Sequence, residues 1–222
     1  SEARGFDPQT ATTTFRVAAA DYLDPHFLPE LVARVKAGAP HSQIEIHPLN
    51  AASDYHAHLA QGDLDIVVGN WLKPPGDLHL GKLFADEIVC LVGADHPAVR
   101  RGWTQDSWLE AEHIAPTPTH PGARGVIDET LESLGLARNI TARCPHFGLI
   151  PRMVASSLLV LTTGRQFCER YAAVLPVRVL ECPVDFPELV YYQLWHERTH
   201  QSAAGRWLRE RVRQVAASLK QP

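Results

Sequence analysis

With 222 residues, 45% of them hydrophobic and 21% charged, the chain is long enough for one large or two small globular domains with a buried core. A net charge of −4 without a Lys/Arg block excludes an electrostatic footprint for DNA on this segment. No apolar run approaches a membrane span, and the opening Ser-Glu-Ala-Arg-Gly lacks the charged-then-apolar pattern of a secretion signal, so a cytosolic chain is expected.

In chain order, Thr13–Ala20 alternates as a strand entering the core, and Asp24-Pro25 carries helix-start chemistry, with Asp24 the expected N-cap. Leu28, Leu31, Val32 and Val35 follow at helical spacing until Gly38 and Pro40 end the run, and Pro29 either forfeits one early bond or moves the start onto itself. Gln43–Leu49 reads as a second strand, with Pro48 placing its end at an edge. Asp54–Gln61 is a short helix leading into Gln61–Trp71, the stretch on which the chain is organised. There Asp65-Ile-Val-Val is an unbroken apolar run closed by Gly69, the signature of a parallel strand buried on both faces. Asn70 and Trp71 emerge at its carboxyl end, where open α/β sheets bind small molecules; the competing reading makes them a turn residue and a core cap.

Leu78–Phe84 and Glu87–Val92 read as strands and Gln105–Glu112 as a helix with Trp108 and Leu109 inward. Strands alternating with helices imply right-handed crossovers and a mostly parallel sheet. At His113-Ile-Ala-Pro-Thr-Pro-Thr-His-Pro-Gly the composition shifts, as at a crossing between domains. A second round follows: helix Val126–Leu134, strand Asn139–Cys144, helix Gly148–Ser157, strand Leu158–Thr162, helix Arg165–Ala173, strands Val177–Glu181 and Leu189–Trp195. The closing helix Ala203–Leu219 turns Leu208, Val212, Val215 and Leu219 inward and Arg206, Arg209 and Arg213 largely outward.

Catalytic motifs are missing: no Gly-x-Ser-x-Gly elbow, and no glycine-rich phosphate loop beyond the single glycine of Thr163-Gly164-Arg165. Cys90, Cys144, Cys168 and Cys182 are too widely spaced for a zinc or thioredoxin-like pair and read as reduced, mostly core thiols. His56 and His58 do not share a helix face, so no metal is expected, and nothing calls for a cofactor. Asp21-Tyr22, Asn70-Trp71, Thr117 to His120 (including Thr119), Arg124, Pro145-His146-Phe147 and Thr162-Thr163 all fall at strand ends or helix starts. Such segments suit an aromatic, hydroxyl-rich ligand site. Arg124 suits a two-pronged clamp on a carboxylate, with a solvated loop charge as the alternative.

Phe15-Arg-Val-Ala-Ala-Ala-Asp, Leu28-Pro-Glu-Leu, Gly62-Asp-Leu-Asp-Ile-Val-Val-Gly, Leu83-Phe, Val89-Cys-Leu-Val and Asp95-His-Pro together resemble the effector-binding domain of LysR-type transcriptional regulators. Pro145-His-Phe, Leu194-Trp-His and Trp207-Leu-Arg resemble the branch of nodulation and salicylate-responsive regulators. The resemblance runs from about Phe6 to Lys220. It implies an α/β fold of two Rossmann-like subdomains in a periplasmic-binding-protein-like (type II) arrangement, joined by two crossover strands: residues 12–112 plus 197–222, and residues 113–196.

It further implies a non-enzymatic sensor that binds a small aromatic or anionic effector in the cleft between subdomains. The implied ligand residues are Asp21, Tyr22, Asn70, Trp71, Thr117, Thr119, His120, Arg124, His146, Phe147 and Thr163. Arg124 stands where salicylate-responsive relatives carry His or Asn, and His200-Gln201 where they show Asn-Arg, which implies that the anion-binding charge has moved. The implied partners are the effector, a second copy in a homodimer (a tetramer being open for the full-length protein), and DNA only through an N-terminal winged helix-turn-helix outside this chain. Two competitors remain, a transporter's solute-binding protein and a small hydrolase or isomerase.

Overall fold

The structure is a computed structural model and describes residues 5–49, 54–118 and 125–220. The chain divides into two compact units, residues 1–85 with 190–222, and residues 86–189. In the first, strand β1 (Thr14–Ala19) is followed by helix α1 (Phe27–Gly38), β2 (Gln43–Pro48), α2 (Tyr55–Gln61), β3 (Ile66–Asn70) and β4 (His79–Asp86). The chain returns to this unit along β10 (Leu189–Trp195), then the short α8 (Glu197–His200) and the long α9 (Ala203–Leu219). The sheet runs in the order β2-β1-β3-β10-β4.

β1 pairs in parallel with both β2 and β3, Val17 lying opposite Ile46 on one side and Ile66 on the other. Central strands of this kind are covered on both faces, which is why Ile66–Gly69 is buried without alternation. β2 is the edge, where Pro48 costs no ladder bond. β10 joins β3 antiparallel, Tyr191 opposite Asn70.

α1 begins two residues later than its sequence signal. His26 is the N-cap, without a side-chain bond, while Asp24 accepts the His26 N–H at 2.9 Å from two residues upstream. Pro29 is then the third helical residue, a position where an N–H would have no intrahelical acceptor, so proline forfeits no bond there. At the other end a Cβ on Gly38 would sit 2.7 Å from the Trp207 ring. The glycine therefore lets α1 approach α9, where Trp207 stacks on Phe15 at 5.5 Å. Asp54 caps α2 by accepting the Ala57 N–H at 3.1 Å, and Gly62 ends it at φ 85°, the left-handed conformation glycine adopts freely.

The second unit contains β5 (Ile88–Gly93), α3 (Ala98–Arg101), α4 (Gln105–Glu110), β6 (His113–Pro116), α5 (Val126–Ser133) and β7 (Ile140–Cys144). A 3-10 turn over Phe147–Leu149 then leads to α6 (Ile150–Ala155), β8 (Leu161–Gly164), α7 (Arg165–Ala172) and β9 (Val177–Glu181). β5, buried along its whole length, lies between β8 and β9 and is antiparallel to both. β6 and β7 form a separate parallel pair. Trp108 on α4 is fully buried and donates its Nε1–H to the Cys90 sulfur at 3.2 Å, while His113 hydrogen-bonds to the Trp108 carbonyl.

Four expectations are corrected. Instead of a mostly parallel sheet, the first sheet is mixed and the β8-β5-β9 sheet antiparallel, because an apolar run encodes burial and not strand direction. The crossings lie at Ala85/Asp86 and Leu189/Val190, not near His113 and Trp195: β4 belongs to the first sheet and β5 to the second, and His113–Pro116, where the proline-rich run begins, is strand β6 of the second unit. The strand expected at Leu158–Thr162 starts at Leu161, since Ser157 first closes a turn by accepting the Leu159 N–H at 3.1 Å. Arg209 is buried rather than outward. Its guanidinium lies 4.5 Å over the Trp195 ring and donates to the carbonyls of Thr199 and His200. Burial, reinforced by the charges of Arg206 and Arg213, brings its pKa down to about 10.

Just past the first crossing, Asp86 accepts the N–H of Glu87 at 3.0 Å and that of Gln166, in the first turn of α7, at 3.1 Å. A Cβ on Gly164 would come within 2.7 Å of the same carboxylate.

Candidate functional site

In the first unit, β1 and β3 run side by side and end together, the Ala20 N–H donating to the Val68 carbonyl at 3.0 Å. The loop after β1 thereby carries Tyr22 to Asn70, and the phenol donates to Asn70 Oδ1 in a short hydrogen bond. Tyr22 is half-buried. Burial, with the Asp21 carboxylate adding to it and the hydrogen bond at Asn70 opposing, pushes its pKa up to about 12. The ring thus offers a neutral phenol at neutral pH.

Behind it lies an aromatic ladder: Tyr22 to Tyr191 at 6.4 Å, Tyr191 stacked on Phe84 at 4.6 Å, and Phe84 to Phe27 at 6.4 Å. A phenol and an amide held on such a base can orient a flat ligand by one polar edge. Asp21 is exposed on the same loop. Trp71 turns the other way. It packs with Leu49, Tyr55 and Tyr192 against the cluster of Ala18, Leu59, Leu64, Val67, Leu78 and Leu194, and it meets the Tyr55 ring edge-on at 5.9 Å. A Cβ on Gly69 would be 3.1 Å from its ring. Of the two readings of Trp71, the geometry matches the core cap.

In the second unit, Thr117 follows β6 and is exposed, its N–H donating to the Cys144 carbonyl at 3.2 Å. β7 ends beside it, so Thr117 and the Pro145-His146-Phe147 turn leave the same edge of this parallel pair. His146 is exposed, whereas Phe147 is buried edge-on against Phe167 at 4.9 Å. Thr163 is buried in β8, opposite Val89. Thr119, His120 and Arg124 lie outside the described residues.

The structure therefore joins Tyr22 to Asn70 and places Thr117 and His146 on one edge, while Trp71, Phe147 and Thr163 are held in packing. Sequence reading passed over Tyr191 and Phe84, the supports of Tyr22. Their only signal was the alternation of β10 and β4, which says that a residue faces inward without saying what it meets. Among the described residues no group of three or more His, Cys, Asp or Glu could hold a metal ion, and no helix is long and apolar enough to cross a membrane.

Residues 8–217 match the LysR substrate binding domain family. The transcriptional activator NagR of Ralstonia sp is 26% identical over 205 residues, 92% of this chain and 67% of NagR. The regulator SyrM of Rhizobium meliloti (strain 1021) is 29% identical over 191 residues, 86% of this chain and 58% of SyrM. This chain thus spans about two thirds or less of the length of these two relatives. Among solved structures, the probable transcriptional regulator PA0477 of Pseudomonas aeruginosa superposes with a TM-score of 0.83 at 26% identity, over 95% of this chain and 70% of that one. The BenM effector-binding domain, solved with its effector benzoate, superposes at 0.73 and 15% identity over 96% and 97%, a likeness of fold alone. The neighbours share the expected type II periplasmic-binding-protein-like class, and the relatives are regulators, which leaves the solute-transport reading without support. On the match across nearly its whole length, this chain is an effector-binding domain of the LysR substrate-binding family.

Proposed function

We propose that this domain recognises a small aromatic acid or phenol-like effector for a LysR-type transcriptional regulator. The observation that carries the reading is the Tyr22–Asn70 hydrogen bond held on the Tyr191–Phe84 stack, a polar edge on a flat apolar base. The candidate ligand residues are Asp21, Tyr22 and Asn70 in the first unit, and Thr117, Thr119, His120, Arg124, His146 and Thr163 in the second. It acts through a difference in its affinity for two conformations of the domain, since equal affinity would shift nothing. DNA is contacted by a domain outside this chain, consistent with the net charge of −4, and the domain works as a homodimer in the cytoplasm without turning its ligand over. That a domain of the same fold has been solved with benzoate makes an aromatic carboxylate the first class to test.

A thermal-shift screen of aromatic acids, phenols and flavonoid-like compounds is expected to yield at least one class that raises the melting temperature, because a ligand selective for the folded state adds stability. Arg124→Ala is expected to weaken a carboxylate ligand by roughly 1.5–3 kcal/mol, as for a lost charged hydrogen bond, read by calorimetry. Absence of a shift from all three classes would end the aromatic reading. Recovery of chemically altered ligand by mass spectrometry would turn it toward an enzyme.

A further inference from the structure

Three histidine rings converge on α8, the four-residue helix between β10 and α9. His196 is its N-cap, and the Nδ1 of that ring accepts the Arg198 N–H at 3.0 Å. His200 ends the helix, and its Nδ1 accepts the Trp195 Nε1–H at 3.1 Å. An indole and a backbone amide can only donate, so both imidazoles serve as acceptors, a role open to a ring nitrogen only while it carries no proton. The third ring belongs to His79, the first residue of β4. It stacks on His200 with centroids 3.7 Å apart and planes 2° from parallel, and its Nε2–H donates to the Glu197 carboxylate. Both ends of α8 are thus fastened by a nitrogen that a proton takes out of service.

The charges around these rings are unequal. Glu197 favours a charged His79, and the bond from that ring holds the carboxylate below its ordinary range. Asp77, just before β4, is bonded to His56 and feels His196. Cations stand on the other side. The Arg209 guanidinium lies over the Trp195 ring and donates to the carbonyls of Thr199 and His200, with the charges of Arg206 and Arg213 nearby. Arg198 reaches to Gly62 at the end of α2, where an added Cβ would meet its guanidinium, and alternation puts Lys82 on the opposite face of β4 from His79. A proton that lands on His79 is therefore retained by Glu197 and sits face to face with His200. A second proton, on His200, meets that like charge and has to displace the Trp195 N–H.

We propose that α8 is a proton-released latch: charging His196 and His200 withdraws the two nitrogens that fasten its ends, and repulsion between the stacked His79 and His200 rings drives it open. Histidine side chains change charge between about pH 5 and about pH 8, so mild acid is the trigger. Each ring takes up one proton at Nδ1, no covalent bond changes, and return to neutral pH restores the acceptors. Opening carries the carbonyls of Thr199 and His200 away from Arg209 and leaves the Trp195 indole N–H without its acceptor. The passage from β10 into α9 is loosened there, within the first unit. None of these groups is a candidate effector contact, so the latch gives the domain a second input, a proton, whatever the effector is.

The test uses the whole 222-residue chain, isotope-labelled for NMR. On going from about pH 8 to about pH 5, the Trp195 indole N–H and the Arg198 backbone N–H should lose protection together. Each is expected to exchange with water at least about tenfold faster than at neutral pH once the intrinsic pH dependence of exchange is removed. The indole N–H groups of Trp103 and Trp108, bonded to the Glu181 carbonyl and the Cys90 sulfur, should be unaffected. His196→Asn supplies an amide oxygen that caps a helix without titrating, and the acid response at Arg198 should disappear in it. His79→Phe keeps a flat ring on the stack without its charge and should cut the response at Trp195 by at least about threefold. Should either variant fail to fold, the unsubstituted chain still decides. Trp195 and Arg198 signals that hold their protection down to about pH 5, a loss spread evenly over the first unit, or an undiminished response in either variant would overturn the proposal.

Discussion

Tyr22 in the first unit and His113 in the second are both titratable rings drawn into the protein, and they are accommodated in opposite ways. The Tyr22 phenol donates to Asn70 and lies half-buried. His113 is fully buried, spends one nitrogen on the Trp108 carbonyl, and leaves Nδ1 without a hydrogen-bond partner among the described residues. The difference separates a polar group that keeps part of its exposure from one that packing encloses. A satisfied, half-exposed phenol can exchange its bond for one to a ligand at little cost, whereas an enclosed imidazole is committed to the neutral form that fills its site.

The largest test attacks what encloses His113. Trp108→Ala removes a fully buried ring that lies edge-on to His113 at 4.6 Å, and a loss of about 3–5 kcal/mol in urea unfolding is expected. Next is acid. Burial, with the bond to the Trp108 carbonyl opposing it, lowers the His113 pKa from 6.5 to about 4. The folded value lies below the unfolded one, so the stabilisation is present above pH 6.5 and is lost as pH falls towards 4. That amounts to at most about 3 kcal/mol, and His113→Gln should flatten the stability profile across this window.

For Tyr22 the sign reverses. Its pKa is raised to about 12, so its contribution is present below pH 10 and is lost as pH rises from 10 to 12. Tyr22→Phe should cost only about 1 kcal/mol at neutral pH, remove this alkaline loss, and weaken any ligand that raises the melting temperature. Were Tyr22→Phe to damage stability as much as Trp108→Ala, the phenol would be a packing group and the contrast would fail.

The sequence carried the elements whose pattern is long or sharply bounded. β9, β10 and α9 have the limits that alternation and helical spacing dictate, and the Ser202 hydroxyl, accepting the Gly205 N–H at 3.2 Å, caps α9. α3 and α8, four residues each, are too short to show a period. Arg209 lay on the polar-looking side of a helix, and only Trp195 and the carbonyls of Thr199 and His200, reached across a turn, make its burial tolerable. The candidate site divides likewise. Tyr22 and Asn70 were visible because strand ends mark them, while the stack beneath them depends on pairing between distant segments, Tyr191 and Asn70 being opposed across β10 and β3.

The clasp at Asp86 has a mechanical implication. One carboxylate grips two amides nearly eighty positions apart, immediately after the polypeptide leaves one body for the other. Removing that carboxylate would therefore release two backbone amides at once, one beside the junction and one in the first turn of α7.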